Sequence, residues 1–178
     1  MIYDFNTELK FSLGSRQQFD IDLLKKAIPN CISVEKTDAE IDKKGIDYVA
    51  HLSGGATINI DAKARRKGAV AAGEEPPLAL EVWSVCPSGT NKGKVGWTLQ
   101  TEANVDMILY TFDKDDCDSF YLIPFQHLRM AFRRNYKKWK NEYGLRRQNN
   151  YRYMSEAMFV PASVVINAVR DCMEGRVK

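Results

Sequence analysis

Residues 45–68 read GIDYVAHLSGGATINIDAKARRKG and predict a β-hairpin. Two segments with alternating apolar residues flank a Ser-Gly-Gly turn at residues 53–55. If this turn is a three-residue loop, Leu52 pairs with Ala56 and Tyr48 lies opposite Ile60. One face of the hairpin is then apolar, and its residues are Ile46, Tyr48, Ala50, Ile58, Ile60 and Ala62.

The same register places two acids opposite each other on the second face. Asp47 lies across from Asp61, and Lys63 shares the face of Asp61 because side chains alternate along a strand. Directly opposed side chains have Cβ atoms about 4.5–5.5 Å apart, so these carboxylates repel each other. Mg²⁺ or Mn²⁺, which prefers oxygen ligands, would relieve the repulsion. We therefore predict a metal site; the alternative is a solvated strand face with a cross-strand salt bridge.

Asp47 on one strand and the triplet Asp61-Ala62-Lys63 on the next resemble the signature of the PD-(D/E)XK nuclease superfamily. The surrounding sequence is similar to small nuclease-like proteins of phages and prophages, although Ile46 precedes Asp47 where many members have proline. The resemblance implies an α/β (α+β) fold with a restriction-endonuclease-like core, a central mixed sheet flanked by helices, and a single domain over residues 1–178. It also implies metal binding by Asp47, Asp61 and the backbone carbonyl of Ala62, with Asp47, Asp61 and Lys63 as catalytic residues.

Two further acids are candidates for the metal shell. Members of the superfamily often add a glutamate from the first helix, and Glu40 is the candidate here. Glu81 in ALEVWS is a second candidate, from the third strand. His51 shares the strand face of Asp47, where we favour a structural hydrogen bond over metal binding.

Positive charge is concentrated between Gln126 and Arg152. This segment contains nine basic residues and one acid, Glu142. Such an excess suits a polyanion, whereas the alternative is a solvated helix face that keeps the protein soluble. Together with the basic run after Lys63, it predicts contacts with nucleic acid, DNA being the expected partner. The predicted contact residues are Arg65, Arg66, Lys67, Arg133, Arg134, Lys137 and Lys138.

Length and composition indicate a globular protein rather than a membrane protein. The chain has 178 residues, of which 44% are hydrophobic, and no apolar run approaches the roughly 20 residues of a membrane helix. We see no secretory signal in MIYDFNTELKF, and the four scattered cysteines are expected to be buried free thiols. These features favour the cytoplasm of a bacterial or phage-infected cell. The oligomeric state stays open, with a homodimer as one option.

Along the chain as a whole, strand patterns dominate the middle and helical patterns bracket them. A first helix is predicted within residues 15–30, with Phe19, Leu24 and Ile28 on its inward stripe. Residues 65–77 predict a loop, residues 95–99 a strand, and residues 125–143 a helix with aromatic side chains facing inward. A last helix opens at Pro161, and YGLRRQNNYRY before it is read as a polar loop or a segment along a duplex backbone. The prediction is one twisted sheet covered by helices.

The function that these features predict is a metal-dependent endonuclease that hydrolyses DNA with Mg²⁺ or Mn²⁺ as cofactor. The alternative is a catalytically inactive nuclease-fold module, such as a phage accessory factor, that binds nucleic acid or a host protein. A structural or assembly protein is a third class, with no specific residue in its favour.

Overall fold

The computed structural model describes residues 15–42, 45–65, 74–101, 103–113 and 120–176. Its helices are α1 (Ser15–Ala27), the short α2 (Ala39–Asp42), α3 (Phe125–Tyr143) and α4 (Ala162–Met173), and a 3₁₀ turn spans Trp97–Leu99. The strands of this part of the chain are β1 (Cys31–Lys36), β2 (Tyr48–Leu52), β3 (Thr57–Ala64), β4 (Pro77–Val85), β5 (Lys94–Val95), β6 (Met107–Thr111), β7 (Phe120–Pro124), β8 (Arg146–Asn150) and β9 (Tyr153–Pro161).

The first sheet has the strand order β1-β2-β3-β6-β7 and is mixed. Strands β1, β2 and β3 are antiparallel neighbours, whereas β6 runs parallel to β3. The predicted hairpin register is confirmed, because Tyr48 pairs with Ile60 and His51 pairs with Thr57. Gly55 ends the turn at φ 81°, a conformation that glycine adopts without a steric penalty. The mixed α+β class is therefore confirmed.

Helix α1 covers one face of the first sheet. Leu24 and Ile28 pack with Tyr48, Ala50 and Ile60 in a buried cluster, which confirms the apolar face of the hairpin. This burial fixes the register, because a slip by one residue would turn the apolar side chains to the opposite face.

The inward stripe of α1 is partly wrong. Phe19 is 37% exposed, whereas Asp20 is only 4% exposed. Asp20, Leu24 and Ile28 follow each other at four-residue spacing, so they lie on the same side of the helix.

The prediction of one sheet is wrong, since a second sheet has the order β5-β4-β9-β8. Strand β9 was not predicted, and β8 was read as part of a polar segment. Tertiary packing explains both strands, because Met158 and Val160 of β9 enter the core and β8 adds to its free edge. The predicted strand at 95–99 becomes the short β5 and the 3₁₀ turn.

The larger core joins both sheets to α3 and α4. It contains Leu78 and Leu80 of β4 together with Ile108 and Tyr110 of β6. The aromatic stripe of α3 is confirmed: Phe125, Leu128, Phe132 and Trp139 are buried, and Tyr136 and Tyr143 pack against them. The basic residues of α3 occupy its remaining surface.

Of the predicted buried thiols, only Cys86 is buried; Cys31 and Cys172 are half-buried, and all three are free. Cys117 lies outside the described residues. Within the part of the chain that the structure describes, none of the helices combines the length and apolar character needed to cross a membrane.

Candidate functional site

The site centres on Asp61, a buried carboxylate near the end of β3. Asp61 is only 6% exposed, and it lies on the strand face shared with Lys63. Asp47 lies directly before β2, and its amide donates to the Ile60 carbonyl at 2.8 Å, so the predicted direct pairing of Asp47 with Asp61 is not among the strand pairs of β2 and β3. The Ala62 amide donates to Asp47 Oδ2 at 2.7 Å. The sheet therefore brings both predicted acids to one place, and the Ala62 contact that the structure shows is made by its amide, not by its carbonyl.

The surroundings of Asp61 disfavour its charged form. Burial raises the pKa of Asp61 to about 7, although the Lys63 ammonium acts in the opposite direction. The charge of the Asp47 carboxylate, and a hydrogen-bond contact with it, raise this pKa further. The predicted repulsion between the two acids is therefore present, and a bound cation would relieve it.

Lys63 is the positive group at the centre of this acidic cluster. Its Nζ lies 2.5 Å from Asp61 Oδ1 and 5.7 Å from the centre of the Trp97 ring. Burial lowers the pKa of Lys63, but the charges of Asp61, Asp47 and Glu81 outweigh it and bring the pKa above its ordinary value. Lys63 is therefore an ammonium ion at neutral pH.

Glu81, the candidate ligand from the predicted third strand, lies on β4 of the second sheet. Strand β4 pairs with β5 and β9. Glu81 Oε2 accepts hydrogen bonds from the Ser84 hydroxyl at 2.6 Å and from the Trp97 amide at 3.3 Å. Its charge still acts on Lys63, so the site lies where the two sheets meet.

Asp20 is a residue of the site that the sequence analysis missed. Its Oδ2 accepts a hydrogen bond from the Tyr48 hydroxyl at 3.2 Å and lies 3.9 Å from Arg16 Nε. Its Oδ1 is buried without a hydrogen-bond partner in the described part of the chain. Burial raises the pKa of Asp20, and the charge of Asp47 raises it further. The sequence did contain a signal for Asp20, because this acid lies four residues before Leu24 and therefore on the apolar stripe of α1.

The other predicted ligands do not complete a cage around Asp61. Among the residues that the structure describes, no three His, Cys, Asp or Glu side chains group closely enough to hold a metal ion. Glu40 is exposed in α2, where its amide donates to the Asp38 side chain. His51 Nε2 lies 3.7 Å from Glu35 Oε2, too far for a hydrogen bond, and it is buried without a hydrogen-bond partner among the described residues, so the favoured structural hydrogen bond is not found at this atom.

The predicted nucleic-acid contacts separate into two regions. Arg65 continues from β3, where its amide donates to the Thr111 carbonyl at 2.9 Å, and its guanidinium lies 4.8 Å from the centre of the Phe159 ring. Arg134 instead donates to Cys172 of α4 at 3.4 Å, so it points away along the helix pair. The predicted contacts Arg133, Arg134, Lys137 and Lys138 are exposed on α3, whereas Arg66 and Lys67 lie outside the described residues.

Comparisons with known proteins give no match, whether to a protein-family model, a curated protein or a solved structure. The chemistry of the site must therefore be argued from its own geometry. That geometry consists of three groups where the two sheets meet. They are Asp47, which accepts a hydrogen bond from the Ala62 amide, the buried Asp61 with its raised pKa, and the Lys63 ammonium ion.

The raised pKa of Asp61 predicts how stability depends on pH. The folded protein holds the Asp61 proton up to a pH of about 7, whereas the ordinary pKa is 3.8. The contribution of Asp61 to the free energy of unfolding is therefore greatest at low pH and is lost as the pH rises from about 4 to 7. Without divalent ions, we expect wild type to lose on the order of 3 kcal/mol relative to Asp61→Asn across this range, by urea unfolding at each pH. Parallel curves for the two proteins would contradict the raised pKa.

Proposed function

We propose that this protein is a metal-dependent endonuclease that hydrolyses phosphodiester bonds of DNA. The observation that carries the proposal is the buried Asp61, which contacts the Lys63 ammonium and is repelled by Asp47. A structural salt bridge would need only one acid for one lysine. We propose further that the fold is a restriction-endonuclease-like core, supported by the order of α1, the antiparallel strands β1 to β3, and β6 parallel to β3.

The acids present fit Mg²⁺ better than a metal that needs a complete protein cage. Mg²⁺ keeps several water ligands and is usually held by one or two carboxylates together with substrate phosphates. Asp47 and Asp61 supply such a pair, and Glu81 and Asp20 add negative charge around it. When bound, the ion would polarise a phosphoryl oxygen and lower the pKa of a water molecule.

Lys63 acts in this proposal as a fixed positive charge. Because its pKa is raised, it does not take a proton from water at neutral pH. It can donate hydrogen bonds to a phosphoryl oxygen, where negative charge grows in the transition state. The Trp97 ring faces the ammonium and favours the charged form.

The proposal is tested by metal binding and cleavage with the variant Asp61→Asn, which preserves shape and removes a negative ligand. We expect wild type to bind Mn²⁺ in calorimetry and to cut plasmid or linear DNA, and Asp61→Asn to bind at least about tenfold more weakly. Asp22→Asn is the matched control, because Asp22 is an exposed aspartate on α1 that accepts a hydrogen bond from Gln18. If wild type neither binds Mn²⁺ nor cuts DNA better than Asp61→Asn, catalysis is wrong.

A second candidate is a nucleic-acid-binding module without catalysis. One observation favours it: the Lys63 ammonium already neutralises Asp61 at 2.5 Å, so the pair can persist without a metal ion. This module would bind DNA equally well as wild type and as Asp61→Asn, with no effect of Mn²⁺ on either protein.

A further inference from the structure

Strand β8 is an exposed edge strand made only of arginine, glutamine and asparagine. Its sequence is RRQNN, and its first four residues are exposed. Within the described part of the chain it pairs with β9 alone, from Arg146 opposite Ala157 to Asn150 opposite Tyr153, and residues 151–152 form the tip. The hairpin of β8 and β9 therefore presents five side chains that are long or polar and rich in hydrogen-bond donors.

Some side chains of β8 are bonded to other residues of the protein, whereas others have no such partner among the residues that the structure describes. Arg147 Nε is paired with Glu156 Oε1 at 3.0 Å, and the Asn150 amide donates to the Ser155 hydroxyl at 3.0 Å. Within the described residues, the exposed amide groups of Gln148 and Asn149 have no hydrogen-bond partner. These two side chains are therefore available to an external ligand.

One face of the β8–β9 hairpin lies next to the strand that carries Lys63. Arg146 lies opposite Ala157, so it shares a sheet face with Phe159, and its guanidinium is 5.1 Å from the centre of that ring. Arg65 contacts the same ring and lies two residues after Lys63. Gln148 follows on the face of Arg146 by strand alternation. The two guanidiniums thus connect the Lys63 strand to the hairpin.

The residue types of β8 are those that read base edges in duplex DNA. Arginine pairs with guanine, and glutamine or asparagine pairs with adenine, in the major groove of B-DNA, which also admits a two-stranded β-ribbon. The major groove of duplex RNA is too deep and narrow for side chains. Residues 145–155 contain three arginines and no acid, which suits the phosphates on both sides of a groove.

We infer that the β8–β9 hairpin enters the major groove of duplex DNA and reads its sequence through Gln148 and Arg146, which share one face of β8. This inference rests on the proposed function for its DNA partner, but it requires binding only. Arg65, held against Phe159 like Arg146, contacts a phosphate between the read bases and the Asp61 site. The protein is thereby a sequence-selective DNA-binding protein.

The test is selection of duplexes from a randomised DNA library by the full chain, using the Asp61→Asn variant without divalent ions so that no DNA is cut. We expect enrichment of a short motif of roughly two base pairs, one for each reading side chain. A base change in the motif should weaken binding about tenfold or more, measured by fluorescence anisotropy. Adding Gln148→Ala should remove the preference at one position, with a smaller effect on random duplexes.

Lys25→Ala, added to the same protein, is the control, because Lys25 is exposed on α1 and outside the proposed surface. Edge strands also use charged side chains to avoid pairing with other chains. If that is the only role of β8, no motif is enriched, or Gln148→Ala selects the same motif, and the inference is overturned.

Failure of this inference is distinguishable from failure of the proposed function. A selected motif in a protein that does not cut the selected duplex with Mg²⁺ would contradict the nuclease and leave the reading hairpin supported. Metal-dependent cleavage without a preferred sequence would support the nuclease and contradict the reading hairpin. Absence of binding to any duplex would overturn the hairpin inference.

Discussion

Lys63→Met is expected to lower the rate of DNA cleavage in Mg²⁺ by about a thousandfold. The substitution removes the only positive charge that the structure places against Asp61 within hydrogen-bond distance in the described part of the chain. A donor aimed at charge that develops in the transition state contributes about 10²- to 10³-fold to the rate. Single-turnover cleavage of a duplex substrate measures the loss.

The same substitution has a separate effect on stability. Asp61 would keep its burial without a partner, so the free energy of unfolding should fall by about 2 kcal/mol at a pH above 7. The expected loss lies below the usual cost of breaking a buried pair because the Lys63 side chain is 30% exposed. Urea unfolding followed by circular dichroism measures this change.

Two further variants separate folding from chemistry in this experiment. The double variant Asp61→Asn with Lys63→Met removes both charges, so it should regain stability to within about 1 kcal/mol of wild type and remain inactive. Lys25→Met is the matched control, since Lys25 is an exposed lysine on α1. Full cleavage by Lys63→Met would show that Lys63 has only a structural role.

Gly96→Ala is expected to lower the free energy of unfolding by about 4 kcal/mol or more. The backbone of Gly96 has φ −68°, which alanine tolerates, so the effect is one of space alone. A Cβ atom there would lie 2.3 Å from the Glu81 carbonyl oxygen and 2.8 Å from the Val82 carbonyl carbon. Backbone atoms cannot move aside as a flexible side chain can, so β4 and the 3₁₀ turn must separate.

This substitution also affects the site, because Gly96 holds two of its parts together. The Gly96 amide donates to the Val82 carbonyl at 2.8 Å, and Trp97 follows directly beside Lys63. Gly54→Ala is the matched control, because nothing lies within 4 Å of its added Cβ; its effect should stay within about 0.5 kcal/mol. Equal unfolding curves for the two variants would contradict the close packing at Gly96.

Local patterns determined the hairpin and the helices of this protein. The glycine turn and the alternation of apolar residues set the pairing of Tyr48 with Ile60, and this register required no distant contact. The 3.6-residue spacing of aromatic side chains likewise predicted α3 from Phe125 to Tyr143. Both signals are local because they depend on the repeat of a single element.

The second sheet could not be derived in the same way. Strand β8 has no apolar alternation, and it is a strand because β9 offers it a free edge. That edge exists because Met158 and Val160 pack into the core beneath α3 and α4. Strand propensity depends strongly on such neighbours, and a single sequence does not specify which distant segments become neighbours.

The candidate site likewise combines features that the sequence determined with features that only the tertiary structure decided. The sequence by itself determined that Asp61 and Lys63 share one face of β3, since strand geometry requires it, and it predicted that Asp47 lies near them. Only the tertiary structure decided that Glu81 and Trp97 come from another sheet, that Asp20 comes from α1, and that Asp61 is buried. The reason is that burial and charge coupling arise between elements distant in the chain, whereas the alternation of a strand is a property of the backbone alone.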